Sequence, residues 1–307
     1  MYTNRVIGEY EQGRPGPLLI FIGGMHGNEP AGVYALSRVF LQLEVFKTPF
    51  FGKLVGLCGN CAALPHGKRY IDKDLNRLWS RSEIARVRAL DAQQRNTEEQ
   101  QLLELLDLIE RLLEEAEGEK LLIDLHTTSA PGGLFSIVSN DAYNRELASA
   151  LHAPVIFNLM NSLSTTTNVY IEDMGIKGLA FEAGQHDDPR SVDIHEAAIW
   201  LLLEQAGCIL PEHVPETEIY HERLITAARH LPHYVQVTYR HAISPDDRFH
   251  MYPGYTNFHQ VYKNEPLARD KNGAVKCPTS GLLVMPLYQP QGEEGFFIVQ
   301  QIDEPPQ

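Results

Sequence analysis

Four cysteines in 307 residues are too few to staple a fold. That scarcity points to a reducing compartment, and the cytoplasm is the expected location. No stretch reaches ~18 uninterrupted apolar residues, so no membrane-spanning helix is expected. The opening MYTNRVIGEYEQGRPG lacks the apolar core of a signal peptide. Positive charge is also scarce: Lys plus Arg is 26 and Asp plus Glu is 40, so 26 − 40 gives −14. A surface of that sign repels a duplex, and a nucleic-acid partner is not expected. A small acidic ligand would need its own local cluster of Arg or Lys. Internal repeats and low-complexity blocks are missing as well. What remains, 43% hydrophobic and 21% charged residues, is the composition of an ordinary globular chain. Its length suits one large domain or two smaller ones.

Strand-like and helix-like segments alternate through the first half. Pro17–Ile22 is a short apolar run closed by Gly23-Gly24, which reads as a buried strand entering a tight loop. Helical spacing follows over Pro30–Leu43, and Lys53–Leu57 reads as a second strand. Thr97-Glu98-Glu99-Gln100 fits a capping box that opens a helix. Leu102, Leu105, Leu106, Ile109, Leu112 and Leu113 give that helix one apolar face, and Gly118 is its expected stop. The stripe lasts under three heptads, so a core-facing helix is favoured over a coiled coil. Lys120–Leu125 is a strand ending at His126, and Gly178–Phe181 one ending at Glu182. Glu196–Ala206 is a helix ending at Gly207. This alternation implies an α/β fold with a mostly parallel sheet flanked by helices. Beyond about residue 215 the texture changes. Val235–Tyr239, Leu282–Leu287 and Phe296–Ile302 look like strands, and Asp270-Lys271-Asn272-Gly273 carries a hairpin turn signal. We expect two portions, residues 1–215 and a smaller β-rich portion, residues 216–307, with a soft boundary near Pro211–Pro215.

Chemistry concentrates at the strand ends. His26 and Glu29 stand three apart in Gly23-Gly24-Met25-His26-Gly27-Asn28-Glu29, so one loop can aim both at a point. Both are good zinc donors, and His126 at the end of another strand is the natural third. In an open parallel sheet, ligands gather beyond the carboxyl ends of the strands. Two His and one carboxylate leave a fourth position open, which is the catalytic arrangement and not the closed structural one. Asp124 lies on the same strand face as His126 and either orients it or bonds to backbone. Arg69-Tyr70-Ile71-Asp72-Lys73-Asp74-Leu75-Asn76-Arg77 reads as a charged loop or as a carboxylate clamp. In the clamp, Arg77 and Asn76 grip a substrate carboxylate while Arg69 faces the reacting carbonyl. Glu182, at an apolar strand end, is an unlikely core filler and suits a general base beside a metal-bound water. Cys58-Gly59-Asn60-Cys61 has no second pair to complete a Zn(Cys)₄ site and reads as ordinary thiols. His186 reads as loop decoration more readily than as a pocket residue. Tyr252, Tyr255, Phe258 and Tyr262 read as core of the C-terminal portion.

The order His-Gly-Asn-Glu, Arg-Tyr-x-Asp-x-Asp-Leu-Asn-Arg, Asp-Leu-His-Thr and Phe-Glu-x-Gly resembles the aspartoacylase and succinylglutamate desuccinylase family, relatives of the zinc carboxypeptidases. The likeness covers roughly residues 15–200. It implies a zinc-carboxypeptidase-like fold with a C-terminal β-portion partly covering the site. It implies one Zn²⁺ held by His26, Glu29 and His126, with Glu182 as catalytic carboxylate and Arg69 as carbonyl polariser. Asn76 and Arg77 would bind the α-carboxylate of an N-acyl amino acid whose amide is hydrolysed. The chain departs from the aspartoacylase pattern twice. Counting ten residues back from Glu182 reaches Glu172 where an Arg is expected, and Phe296 stands near the place of a site Tyr, with Tyr288 as a substitute. An alternative is therefore a carboxypeptidase-like hydrolase, or a deacylase for neutral or basic side chains. A third is a zinc-stabilised binding protein without the reaction. The expected partner is a small molecule, and a homo-oligomer is compatible with the sequence.

Overall fold

The computed structural model describes residues 4–163 and 165–306. Residues 1–3, 164 and 307 lie outside that description. Strand β1 (Val6–Glu11) forms one edge of the main sheet. All six residues of β2 (Leu18–Gly23) are buried, because helices cover both faces of the sheet. Leu19 and Phe21 face one core while Leu18, Ile20 and Ile22 face the other. Helix α1 (Ala31–Phe46) and strand β3 (Lys53–Cys58) follow, a few residues longer than the sequence suggests. Helix α2 (Arg81–Ala89) precedes α3 (Thr97–Glu115). The capping box of α3 starts one residue earlier than expected. Asn96 accepts from the Glu99 N–H, and Glu99 accepts from the Asn96 N–H. Both frames fit the pattern, and Asn is the stronger N-cap. The helix stops at Glu115, short of Gly118. Its leucine stripe is fully inside, so a Leu→Ala change there costs about 2–5 kcal/mol.

Strand β4 (Lys120–Thr128) carries His126. Next come β5 (Phe135–Ile137), α4 (Ala142–Ser149), β6 (Val155–Phe157), α5 (Leu159–Ser162), α6 (Thr167–Asp173) and β7 (Lys177–Gln185). Helix α7 (Arg190–Gln205) packs beside α1, and α8 (Thr217–Ala228) returns onto α7 through Tyr220 stacked on Trp200 at 6.3 Å. The C-terminal segment contributes β8 (Tyr234–Ala242), β9 (His250–Met251), β10 (His259–Val261), β11 (Pro266–Asp270), β12 (Gly273–Lys276), β13 (Gly281–Val284) and β14 (Glu294–Ile302). β11 and β12 pair with Asp270 opposite Gly273, so Lys271 and Asn272 make the turn and Gly273, at φ +116°, opens the return strand.

The main sheet has eleven strands in the order β1-β3-β2-β4-β7-β5-β6-β8-β14-β13-β10. β3, β2, β4 and β7 run parallel, whereas β8, β14, β13 and β10 are antiparallel. β9, β11 and β12 form a separate small antiparallel sheet. The fold is thus a mixed α/β sheet flanked by helices with a β-rich C-terminal region. That region joins the main sheet where β8 pairs with β6. Of the four C-terminal aromatics, Phe258 packs edge-on against Phe135 at 5.8 Å, but Tyr262 is exposed. The latter departs from the expected core role.

Candidate active site

β2 and β4 are parallel neighbours, so the loop after β2 and the end of β4 open on the same side of the sheet. The loop holds its shape through two glycines. Gly24 has φ +68°, and a Cβ on Gly27 would lie 2.3 Å from the Ala63 carbonyl carbon. That loop delivers His26 and Glu29, and β4 delivers His126. One ligand atom from each lies within 4.8 Å of the other two. His26 Nδ1 is 2.9 Å from Glu29 Oε1, and His126 Nδ1 is 3.1 Å from Glu29 Oε2. A tetrahedral Zn²⁺ with bonds of ~2.0 Å separates its donors by roughly 3.3 Å, so the spacing suits one ion. The far nitrogen of each ring also faces a carboxylate. His26 Nε2 lies 3.2 Å from Asp74 Oδ1, and His126 Nε2 lies 3.0 Å from Asp124 Oδ2. This is the outer-shell arrangement that fixes ring orientation in metal sites. Asp124 thus faces the histidine, although neither of its oxygens makes a well-formed hydrogen bond among the described residues. Burial would keep Glu29 protonated, but His26 and His126 hold it well below the usual carboxylate range.

Asp74 is the residue that sequence reasoning missed. It caps the short turn Leu75–Arg77 by accepting from the Asn76 N–H at 2.9 Å. It also takes Nε and Nη2 of Arg69 at 2.9 Å each. Its Asp-x-Asn spacing is an Asx-turn signal that could have revealed it. Arg69 keeps Nη1 on the Glu29 side, 3.6 Å from Oε1. Asn76 is fixed by Thr167, whose N–H and hydroxyl both donate to its Oδ1 at 3.0 Å. Arg77 is engaged across the molecule: its Nη2 donates to Glu294 of β14 at 2.7 Å. Arg240 donates to the other oxygen of the same carboxylate at 2.8 Å.

Glu182 pairs in register with His126 on the adjoining strand β7. Burial pushes it up to about 8; His126 opposes this and Glu29 adds to it. Its Oε2 is buried without a hydrogen-bond partner among the described residues. The three metal-ligand candidates, Arg69, Asn76, Arg77 and Glu182 all line one cavity that opens to solvent. His186 lines it too, against the expectation of loop decoration. Its Nδ1 meets Thr127 Oγ1 at 2.8 Å, and its Nε2 lies 3.2 Å from Gln289 Oε1. Cys58 and Cys61 are free thiols outside the cavity.

The two departures from the aspartoacylase pattern change meaning. Glu172 is exposed near the end of α6 and does not line the cavity. Asn168, one turn or about 6 Å nearer along the helix, lines it instead. Its buried Oδ1 has no hydrogen-bond donor among the described residues. A count along the chain therefore misplaced the wall, because α6 runs past the cavity. Phe296 is fully buried and stacked on His241 at 4.8 Å in the C-terminal core. Strand alternation sends its neighbour Phe297 into the cavity. Tyr288 is turned away to Tyr252 O at 2.8 Å, and Gln289 takes the wall position.

With this geometry in view, the likeness to known proteins is specific. A model described as the succinylglutamate desuccinylase/aspartoacylase catalytic domain matches residues 15–201. A probable aspartoacylase of Acaryochloris marina is 29% identical over 171 residues, 54% of this chain and 54% of that protein. An N-acyl-aromatic-L-amino acid amidohydrolase (carboxylate-forming) of Rattus norvegicus is 34% identical over 132 residues, 42% of this chain and 40% of that one. The matched stretches thus span about half the length of these curated relatives or less. Among solved structures, a succinylglutamate desuccinylase/aspartoacylase from Rhodobacter sphaeroides superimposes with a TM-score of 0.65 at 18% identity, covering 95% of this chain and 87% of that one. Murine aminoacylase 3 does so with a TM-score of 0.61 at 18% identity, covering 95% and 97%. At such identity the structural likenesses concern the fold alone. The sequence match covers more than half of the chain, which belongs to the succinylglutamate desuccinylase/aspartoacylase family.

Proposed function

We propose that the protein hydrolyses the amide bond of small N-acyl amino acids in a zinc-dependent reaction. The observation that carries this reading is the convergence of three buried donors within 4.8 Å, with Glu182 in register beside one of them. A divalent ion at His26, Glu29 and His126 supplies Lewis acidity and acidifies water at neutral pH. Glu182 is the general base: its carboxylate takes a proton from the attacking water and later returns one to the leaving amine. An affinity for protons near neutrality suits both transfers. Arg69, braced by Asp74, presents Nη1 to the oxygen on which negative charge develops. Asn76, its oxygen tied to Thr167, and Arg77 orient the free carboxylate. We also propose that residues 1–215 carry this machinery and residues 216–307 cover it, since Leu287, Gln289, Glu294 and Phe297 roof the same cavity.

The test is Glu182→Gln. Bound metal, measured by elemental analysis, should stay at one ion per chain while kcat falls roughly 10²- to 10⁴-fold. Turnover within a few-fold of the original would remove Glu182 from its role.

A further inference from the structure

One part of the cavity wall is apolar, and its composition points to a substrate class. Ile137 of β5 and Ala180 of β7 are cross-strand partners, and both line the cavity. Leu159, Met160, Met285 and Phe297 complete this recess. Ala180 stands two residues before Glu182 on the same strand, so both side chains leave β7 on the same face. The recess also adjoins the carboxylate grip. Thr167, which fixes Asn76, follows directly on Thr166, and Thr166 and Leu163 line the same wall. In an amino acid the carboxylate and the side chain branch from one carbon. The group entering the recess is therefore the side chain of the amino acid to be released.

A second carboxylate has no place there. The cations of the lining are Arg69 and Arg77, besides the histidines. In the proposed reaction Arg69 faces the reacting carbonyl and Arg77 takes the free carboxylate of the amino acid, so neither is left for a second one. An acidic side chain would be desolvated among Ile, Leu, Met and Phe without a further cation among the described lining residues. A lysine-like ammonium would find there a single neutral acceptor, Asn168 Oδ1.

Resting on the deacylase reading above, we propose that the released amino acid carries an apolar side chain, aromatic or branched aliphatic, and that Ala180 sets the depth of its subsite. The experiment compares kcat/KM of the zinc-loaded protein for N-acetyl-L-phenylalanine, N-acetyl-L-leucine, N-acetylglycine, N-acetyl-L-lysine, N-acetyl-L-aspartate and N-succinyl-L-glutamate. The phenylalanine and leucine compounds should exceed the charged ones by more than about 10-fold, the scale on which apolar pockets discriminate. Ala180→Leu should lower kcat/KM for N-acetyl-L-phenylalanine by a similar factor and leave N-acetylglycine within two-fold. A preference for the acidic or basic compounds would overturn the proposal, as would an equal loss on N-acetylglycine. Failure to turn over any of them would bring down the deacylase reading instead. Calorimetric binding of N-acetyl-L-phenylalanine against N-acetyl-L-aspartate to the same protein would then still decide the subsite.

Discussion

Glu98 offers a stringent test of how the site loop is held. The residue is fully buried, yet its carboxylate is the hub of the loop that carries Arg69–Arg77. Oε1 accepts from Asn60 Nδ2 at 3.1 Å and from the Ile71 N–H at 2.7 Å. Oε2 accepts from the Asp72 N–H at 2.9 Å and the Lys73 N–H at 3.1 Å. Glu98→Gln keeps the shape, but either orientation of the new amide turns an NH₂ against two donors. Two hydrogen bonds to a charged acceptor are lost, each contributing about 1.5–3 kcal/mol, so the loss is at least ~3 kcal/mol. For a chain of this length at ~2 °C per kcal/mol, the unfolding midpoint should fall by roughly 6 °C. Differential scanning calorimetry reads this directly. Hydrogen exchange should place the loosening at the amides of Ile71, Asp72 and Lys73. A midpoint within 1 °C of the original, with those amides still protected, would refute the reasoning.

Three further outcomes are expected. Chelation should abolish turnover and lower the unfolding midpoint, and one equivalent of Zn²⁺ should restore both; a metal-free preparation with full activity would contradict the assigned triad. Arg77→Lys should cut kcat/KM about 10-fold or more, chiefly through KM, because an ammonium lacks the planar fork that grips a carboxylate. Steady-state kinetics with kcat and KM unchanged would exclude Arg77 from substrate binding. At Asp141, hydrogen bonding to Lys177 at 2.8 Å holds the carboxyl below its usual range. A depressed folded-state value adds stability above the unfolded value of ~3.9 and loses it as pH falls through the acid range. Asn is an equally good cap, so Asp141→Asn should melt lower than the original at pH 7 and converge with it as pH falls through the depressed folded-state value. A pH-independent difference would mean that the ion pair is not its source.

Much of this architecture was readable from apolar runs. β2, β4 and β7 are buried on both faces, so they appear as Leu-, Ile-, Ala- and Phe-rich segments that lead into chemically distinctive residues. β5 and β6 span three residues each, too short for any period to show. α6 was missed because Thr, Asn and Asp give it a loop-like composition. The site divides in the same way. His26 and Glu29 follow the end of β2, and His126 lies two residues before the end of β4, so all three were legible by position. Glu294 and Gln289 were not, because they meet Arg77 and Asn28 only after 217 and 261 residues of intervening chain fold back. Asp74 was visible as a letter, but its contact with His26 requires the tertiary structure.

The single sheet shared by both parts of the molecule has a practical corollary. Cutting the polypeptide after residue 215 would strip β6 of β8 and bare a raw strand edge of the kind that recruits other chains into aggregates. The same cut would remove Met285, Leu287, Gln289, Glu294 and Phe297 from the wall of the candidate site. Diversification can instead work through residues 285–297, reshaping the lid while the floor and its chemistry stay as they are.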